Sequence, residues 1–507
     1  MNSDRLRFWL WAGAALVAGL LLRLWFVINL PRVFGDSLVY GELAKTWLQH
    51  GFYGFVENGP TPGASELRPT LIRLPGYPLF LAACFRIFGM ENYRAALFVQ
   101  VAADLVGCCL ASALAGRVFG HRARLPVLWI AALCPFTANY TSVALAETLV
   151  FTTIALALYA FARWQDAGLG CNRWLWVIAA ALAYSILLRP EQGLLAAAIM
   201  PPMLWAALKN RERRSPLPAA LPVLAAALCV LLPLVPWTIR NERVFHVFQP
   251  LAPRDANDPG EPSLPGFGRW YDTWAIDFAS VDEIGWPMDG EPIAFTALPA
   301  RAFDAGTPAA KEDLRRRTAA LFADYNVTLT LTPEIDARFD ALATELIHAH
   351  PVRYYFGLHI ARLLDMALRP RTETMPVSDE WWQWSAHPGQ TAFAAAYAAL
   401  NLAYFALGFA GFSAWRRRAW LAPNPPGPGQ RAYRELAVAM AASIVLRAIL
   451  LLFIDNSEPR YTLEFFPVFF VWIGALFAAP SQSLSTGRTA VGPAKPPHLD
   501  WKSSGAK

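Results

Sequence analysis

The sequence predicts an all-α polytopic membrane protein of about ten transmembrane helices, and three observations carry that expectation. Charged residues make up 16% of the 507, where soluble domains carry about 25%. Apolar runs long enough to cross a bilayer recur along most of the chain. Blocks of Arg and Lys fall in alternate gaps between those runs, which is how cytoplasmic loops orient a helical bundle. The 20 Trp and 32 Phe suit aromatic belts at the two membrane surfaces.

Taken in order, the elements begin with "MNSDRLRF", which leads into a first apolar run over 8–30. No small-residue cleavage site follows it, so an uncleaved helix is expected and not a removed signal peptide. Further spans are expected near 94–116, 125–142, 146–163, 174–189, 191–208, 217–238, 391–415, 433–454 and 461–479. Arg5 and Arg7 place the N-terminus in the cytoplasm. With ten spans, the basic stretches 116–124, 163–173, 209–214 and 415–420 all fall on that same side. The short apolar segment 74–89 contains Arg86, and counting it as a span would invert every later loop. It reads as a helix lying along the outer face.

The first external loop then covers 31–93. Within it "LVYGELAKTWLQ" has apolar residues at helical spacing and reads as a second surface helix. Residues 241–390 open on the Pro- and Gly-rich loop "DPGEPSLPGFG" and continue with amphipathic patterns in 311–325 and 333–370. This is expected to be a small, mostly helical periplasmic unit, with "EWWQWS" (380–385) as an interfacial anchor. The chain thus divides at 1–240, 241–390 and 391–480, with a tail, 481–507, expected to be disordered and cytoplasmic.

The net charge of +6 does not argue for nucleic acid, because its basic residues sit in short loop blocks. Cys84, Cys108, Cys109, Cys134 and Cys229 lie in apolar stretches and Cys171 in a short loop; none falls between 241 and 390, the largest polar region, so no disulfide framework is indicated there. No CxxC or HExxH metal motif occurs.

Several charged residues fall at the outer ends of the expected spans, where the positive-inside rule does not call for them. They are Asp36, Arg73, Glu147, Arg189, Glu191, Arg240, Glu458 and Arg460. Each has an ordinary explanation by itself. Asp36 and Glu147 suit helix N-termini; "LRPEQ" suits a Pro-initiated helix with an internal ion pair; Arg240 suits the end of a span. Their common side of the membrane favours a site. A carboxylate can take a proton from an attacking hydroxyl or amine, and arginines bind phosphate through charge-assisted hydrogen bonds. Together they suit a lipid-linked phosphosugar donor.

The order of these segments resembles the GT-C class of membrane glycosyltransferases, and within it the family 39-like protein O-mannosyltransferases and lipid A aminoarabinose transferases. The resemblance rests on "FGDSLVYGELAKTWLQHG", "RLPGYPLFLAACFRIFG", "ALCPFTANYTSVALAETLVF", "LLRPEQGLL", "PWTIRNERVF" and "EPRYTLEFFP". It implies a GT-C-type helical bundle, a polyprenyl-phosphate-linked sugar donor and inverting transfer at the periplasmic face of a bacterial inner membrane. By resemblance Asp36 is the catalytic base and Glu147 the acid of the second external loop. Arg73, Arg189 and Arg460 would hold the donor phosphate, and Tyr77, Glu191, Arg240 and Glu458 would line the substrate site. The acceptor stays open among lipid, glycan and protein.

Two departures matter. Ser37 follows Asp36 where the mannosyltransferases carry Glu, and no DxD occurs in either loop. Both leave a divalent metal without its usual signature, and no other cofactor is implied. "RLP" also replaces the mannosyltransferase "HPP". A lipid-linked sugar flippase or transporter, and a glycan polymerase or ligase, stay open as alternatives. The former would more often carry ionisable residues in mid-span, and here Asp104 is an exception among spans nearly free of Asp, Glu and Lys.

Overall fold

A computed structural model describes residues 3–58, 65–209, 216–253, 256–304, 307–420 and 433–478. The tail 481–507, most of the basic block 209–214 and the last two side chains of 415–420 lie outside the residues so described. Among the described residues the fold is all-α apart from one short hairpin.

The chain opens with α1 (Ser3–Asn29) and α2 (Asp36–His50). The hairpin β1 (Gly54–Asn58) and β2 (Ser65–Pro69) follows. Next come α3 (Gly76–Phe88), α4 (Tyr93–Phe119), α5 (His121–Ala132), α6 (Pro135–Tyr140) and α7 (Glu147–Asp166). Then follow α8 (Arg173–Leu188), α9 (Gly193–Lys209), α10 (Pro216–Leu231) and α11 (Leu234–Phe245). Proline sets two of the breaks: Pro135 starts α6 after Cys134, and Pro233 separates α11 from α10. Asn92 and Asn172 cap α4 and α8 by accepting from Ala95 N and Trp174 N.

Among the described residues, six helical stretches are long and apolar enough to cross a membrane. They are Ser3–Asn29, Tyr93–Phe119, Pro216–Phe245, Pro388–Arg418, Arg434–Leu452 and Pro459–Phe477. The other expected spans are also helical, as α5 with α6, α7, α8 and α9, but fall short of that length or apolarity individually. The segments 36–50 and 76–88, expected to lie along the outer face, are helices, and the hairpin is an element the sequence did not predict.

Between α11 and the C-terminal helices the chain forms α12 (Pro265–Asp272), α13 (Phe278–Ser280), α14 (Pro308–Thr328), α15 (Pro333–Ala349) and α16 (Leu358–Leu368). Thr307 and Thr332 cap α14 and α15. α12, α14 and α15 close a hydrophobic core of their own around Trp270, Trp274, Phe322 and Phe339, while α16 buries Met366 and Ala367 in the main core. The last elements are α17 (Pro388–Trp420), α18 (Arg434–Leu452), a 3-10 segment over Pro459–Phe465, and α19 (Phe466–Ile473). They join α1 and α3–α10 in the main core.

One ion pair lies inside the bundle. Arg23 on α1 donates from Nε to Asp104 on α4 at 2.6 Å, and from Nη1 to the carbonyls of Gly19 and Ala132. Asp104 is therefore neutralised within the bundle, a structural use of a mid-span acid.

Candidate functional site

Asp36 is the first residue of α2. Gly35 before it has φ +49°, a left-handed value that glycine takes without strain, and the chain turns there into the helix. The carboxylate thus sits at a helix N-terminus. Arg32 pairs with the second external segment: its N–H donates to Ser142 O at 2.9 Å, and Ala144 N donates to Arg32 O at 3.2 Å. That bridge brings the start of α2 beside the start of α7, whose first residue is the buried Glu147.

Arg73 lies on a clamped loop between β2 and α3. Asp258 accepts from Leu71 N at 2.8 Å, and Tyr53 OH donates to Arg73 O at 3.0 Å. Arg240 donates to Thr70 O at 2.8 Å and to Tyr53 O at 2.7 Å. From this loop Arg73 Nη2 reaches Asp36 Oδ1 at 2.7 Å.

Arg460 arrives from the far end of the chain on the 3-10 segment. Its Nη2 lies 3.1 Å from Asp36 Oδ2, and its Nε lies 3.7 Å from Glu147 Oε1 and 2.6 Å from Glu458 Oε2. Arg189, the residue closing α8, donates from Nη1 to Glu147 at 2.8 Å and from Nε to Glu191 at 2.6 Å. The result is an alternating row of charges, Arg73, Asp36, Arg460, Glu147, Arg189 and Glu191, with Glu458 as a side branch on Arg460.

The electrostatics follow from those contacts. Burial alone would raise the Asp36 pKa, but Arg460 and then Arg73 outweigh it and hold the carboxyl at about 2. Glu191 is likewise held at about 2, where Arg189 and Arg447 overcome its burial. At Glu458 burial wins over Arg460 and the pKa is raised. Tyr40, beside Asp36, is pushed up to about 12 by burial and by that negative charge.

Two sequence candidates stand apart from the row. Tyr77 is fully buried, and its hydroxyl donates to Gln100 Oε1 at 2.6 Å. Arg240 is occupied by the Thr70 carbonyl of the Arg73 loop and by the Tyr53 carbonyl, and it stacks over Tyr53, Trp237 and Phe245. Its visible role is to brace the loop that presents Arg73.

Four participants were missed by the sequence reading. Arg447 on α18 lies 3.5 Å from Glu191 and 2.9 Å from Glu464, extending the row. Tyr461 presents its ring to Arg189, Arg460 and Arg447 at 5.0, 5.4 and 6.0 Å. The fourth participant is the strap that follows α16. Arg371, almost wholly buried, donates from Nη1 to Pro459 O at 2.7 Å and from Nε to Asn401 at 3.0 Å; it also bonds Thr462. On the same strap Glu373 accepts from Tyr140 OH at 2.7 Å, and Thr374 bonds Asn139. The signal for Arg447 was a lone arginine within the apolar run "SIVLRAILLL".

A divalent cation does not fit this donor set. Asp36 and Glu147 are each already engaged by guanidinium groups, with Arg460 between them. A cation there would meet positive charge on both sides. Among the described residues no group of three or more metal-ligating side chains occurs.

Residues 69–237 match the family described as dolichyl-phosphate-mannose-protein mannosyltransferase. No curated protein matches the chain. Among solved structures, the chain is similar to an Archaeoglobus fulgidus oligosaccharyltransferase tethered with an acceptor peptide. The identity is 13% and the TM-score 0.47, over 92% of this chain and 49% of that one. The chain thus spans about half the length of that protein. It is also similar to ArnT from Cupriavidus metallidurans bound to undecaprenyl phosphate, at 14% identity and TM-score 0.36, over 92% of this chain and 77% of that one. The likeness to the mannosyltransferase family thus covers residues 69–237, about a third of the chain, and includes Arg73, Glu147 and Arg189.

Proposed function

We propose that the protein is a membrane glycosyltransferase that moves a sugar from a polyprenyl-phosphate donor to an acceptor at the periplasmic face of a bacterial inner membrane. One observation carries the reading: the Asp36 carboxylate lies between Arg73 and Arg460, and Arg460 also reaches Glu147.

Asp36 held at about 2 is a weak base. Its strength depends on the two arginines, and a donor phosphate competes for both. As Arg73 and Arg460 turn to the phosphate, Asp36 loses the charges that depress it and becomes a stronger base. Donor binding therefore prepares the base. The acceptor hydroxyl or amine gives its proton to Asp36 while its oxygen or nitrogen bonds the anomeric carbon. The bond from that carbon to the phosphate oxygen breaks, and the electron pair leaves on the lipid phosphate. The leaving group gains one negative charge as Asp36 loses one, so the site's total charge is unchanged. Arg189 holds the Glu147 side chain in place to orient the acceptor. A single displacement of this kind inverts the anomeric centre.

The ten-span threading supports the periplasmic placement, since it puts the basic stretches 116–124 and 163–173 opposite the site. In this reading the helical unit between α11 and α17 selects the acceptor. The test is incubation of purified protein, reconstituted in lipid, with polyprenyl-phosphate sugars and candidate acceptors. Release of free polyprenyl phosphate with glycosylated acceptor supports the enzyme. Translocation of intact donor without turnover supports a flippase and removes this reading.

A further inference from the structure

One guanidinium holds the turn from which Arg460 reaches the centre. Arg371 is 2% exposed. It donates from Nη1 to Pro459 O at 2.7 Å and from Nη2 to the Thr462 hydroxyl, which in turn donates to Pro459 O at 2.9 Å. Positions three apart in a 3-10 helix lie one above the other, so a single planar fork reaches both. The two residues it grips flank Arg460 and Tyr461. From Nε it bonds Asn401 on α17, whose amide donates to the carbonyls of Ala367 and Arg369 at the end of α16.

The setting of this cation is unlike that of the others in the centre. Its acceptors are all neutral, and among the described residues no carboxylate oxygen lies within ion-pair distance of it. The rings of Phe466 and Phe136, at 5.2 and 5.9 Å, offset only part of the cost of burying it. An apolar side chain would fill the same space without that cost. What it could not supply is a set of directed donors in one rigid plane. The strap also reaches the other side of the Arg460–Glu147 contact. Glu373 accepts from Tyr140 OH, and the Tyr140 carbonyl accepts from the hydroxyl of Thr148, the residue after Glu147.

We propose that Arg371 is a positioning residue: by fixing Pro459 and Thr462 it aims Arg460 at Asp36 and Glu147, and so sets the affinity of the centre for the donor's phosphate. Its donors point at the turn and at α17, so it acts through Arg460 and not on the phosphate itself. This rests on the glycosyltransferase reading for Arg460 as a phosphate ligand, but it concerns binding and can be tested without turnover.

The experiment is a double-mutant cycle on the reconstituted full chain, read as affinity for bare polyprenyl phosphate. Arg371→Gln should weaken binding about tenfold in the wild-type background, the equivalent of one hydrogen bond from a charged group. In an Arg460→Ala background, where Arg73 still offers a phosphate ligand, the same substitution should change affinity less than about twofold. Losses of equal size in the two backgrounds would make Arg371 an independent support and overturn the proposal. So would an Arg371→Gln variant that binds as the wild type does. Arg371→Lys separates charge from geometry: it should bind as weakly as Arg371→Gln, and wild-type affinity in it would overturn the positioning role in favour of charge alone. Where Arg371→Gln does not fold, Thr462→Val loosens the same turn and takes its place in the cycle. Coupling of Arg371 with Arg460 in a protein that transfers no sugar would leave the positioning role standing and sink the transferase reading alone. A wild type that does not bind bare polyprenyl phosphate would sink both.

Discussion

Arg460 Nη2 donates to Asp36 Oδ2 at 3.1 Å although 424 positions separate the two residues in the chain. The first external loop and the last membrane segment are therefore parts of one centre. Each depends on the other for its charge state.

Asp36→Asn should lower turnover by about 10²–10⁴-fold, the contribution expected of a general base. Donor affinity should hold or tighten, because Arg73 and Arg460 would no longer be shared with a carboxylate. Rates of polyprenyl phosphate release, set beside binding of the same donor, check both halves. Turnover at the wild-type rate would remove Asp36 from the chemistry.

Arg240→Ala should behave as a loop-bracing change and not as loss of a ligand. It strips two carbonyls of their charged donor and should destabilise the protein by about 2 kcal/mol. Donor affinity should change only a few-fold, while the melting temperature falls. A drop in affinity of about a hundredfold at unchanged stability would instead make Arg240 a direct ligand.

Gly76→Ala should displace α3 from α8. A Cβ at that position would lie 2.4 Å from the backbone carbonyl of Leu187 and 2.5 Å from Leu188 N. Overpacking against backbone costs about 1–3 kcal/mol. Because Arg73 precedes this contact and Arg189 follows it, activity should fall along with stability. Thermal unfolding and turnover measured on one preparation test this; a fully active, equally stable variant would contradict it.

The two halves of the molecule should respond oppositely to acid. Asp36 and Glu191 have pKa values depressed to about 2 from 3.8 and 4.5. Their stabilisation is present above those ordinary values and is lost as pH falls toward 2. Asp365 on α16 is raised from 3.8 to about 7 by burial, against the pull of Arg369 at 3.6 Å and with Asp277 and Arg301 also facing it. Its stabilisation is full below 3.8 and is lost as pH rises through 7. Between pH 7 and 4.5 the packing around α16 should therefore become more stable on acidification, and Asp365→Asn should flatten that slope. Melting curves of both proteins across this range decide it; an identical slope in the variant would show that Asp365 is not its source.

The sequence made the charged centre partly legible because ionisable side chains at membrane ends are costly and stand out. Asp36, Glu147, Arg73, Arg189 and Arg460 could be found that way. Depth alone could not separate Arg240 from them, since what it touches depends on which carbonyls tertiary packing leaves free. Arg447 and Glu464 were overlooked because each interrupts an apolar run and looks like noise without its partner. The hairpin was missed because two five-residue strands around "GPTPGA" give too short an alternation to register beside long helices. The helices of 308–368 were readable because their polar faces and apolar stripes are both strong.

The strap carrying Arg371, Glu373 and Thr374 limits how this protein can be recombined with its relatives. It leaves the outer unit and ends on the Pro459 carbonyl, one residue before Arg460. A chimera that exchanges residues 241–368 at the visible boundary, just after α16, would import a strap whose anchors do not match the host. Junctions drawn beyond residue 377, with Asn139, Tyr140 and Asn401 carried along, keep those anchors together. Diversification of specificity in such proteins would then proceed by joint change at both ends of this tether, not by free shuffling of the outer unit.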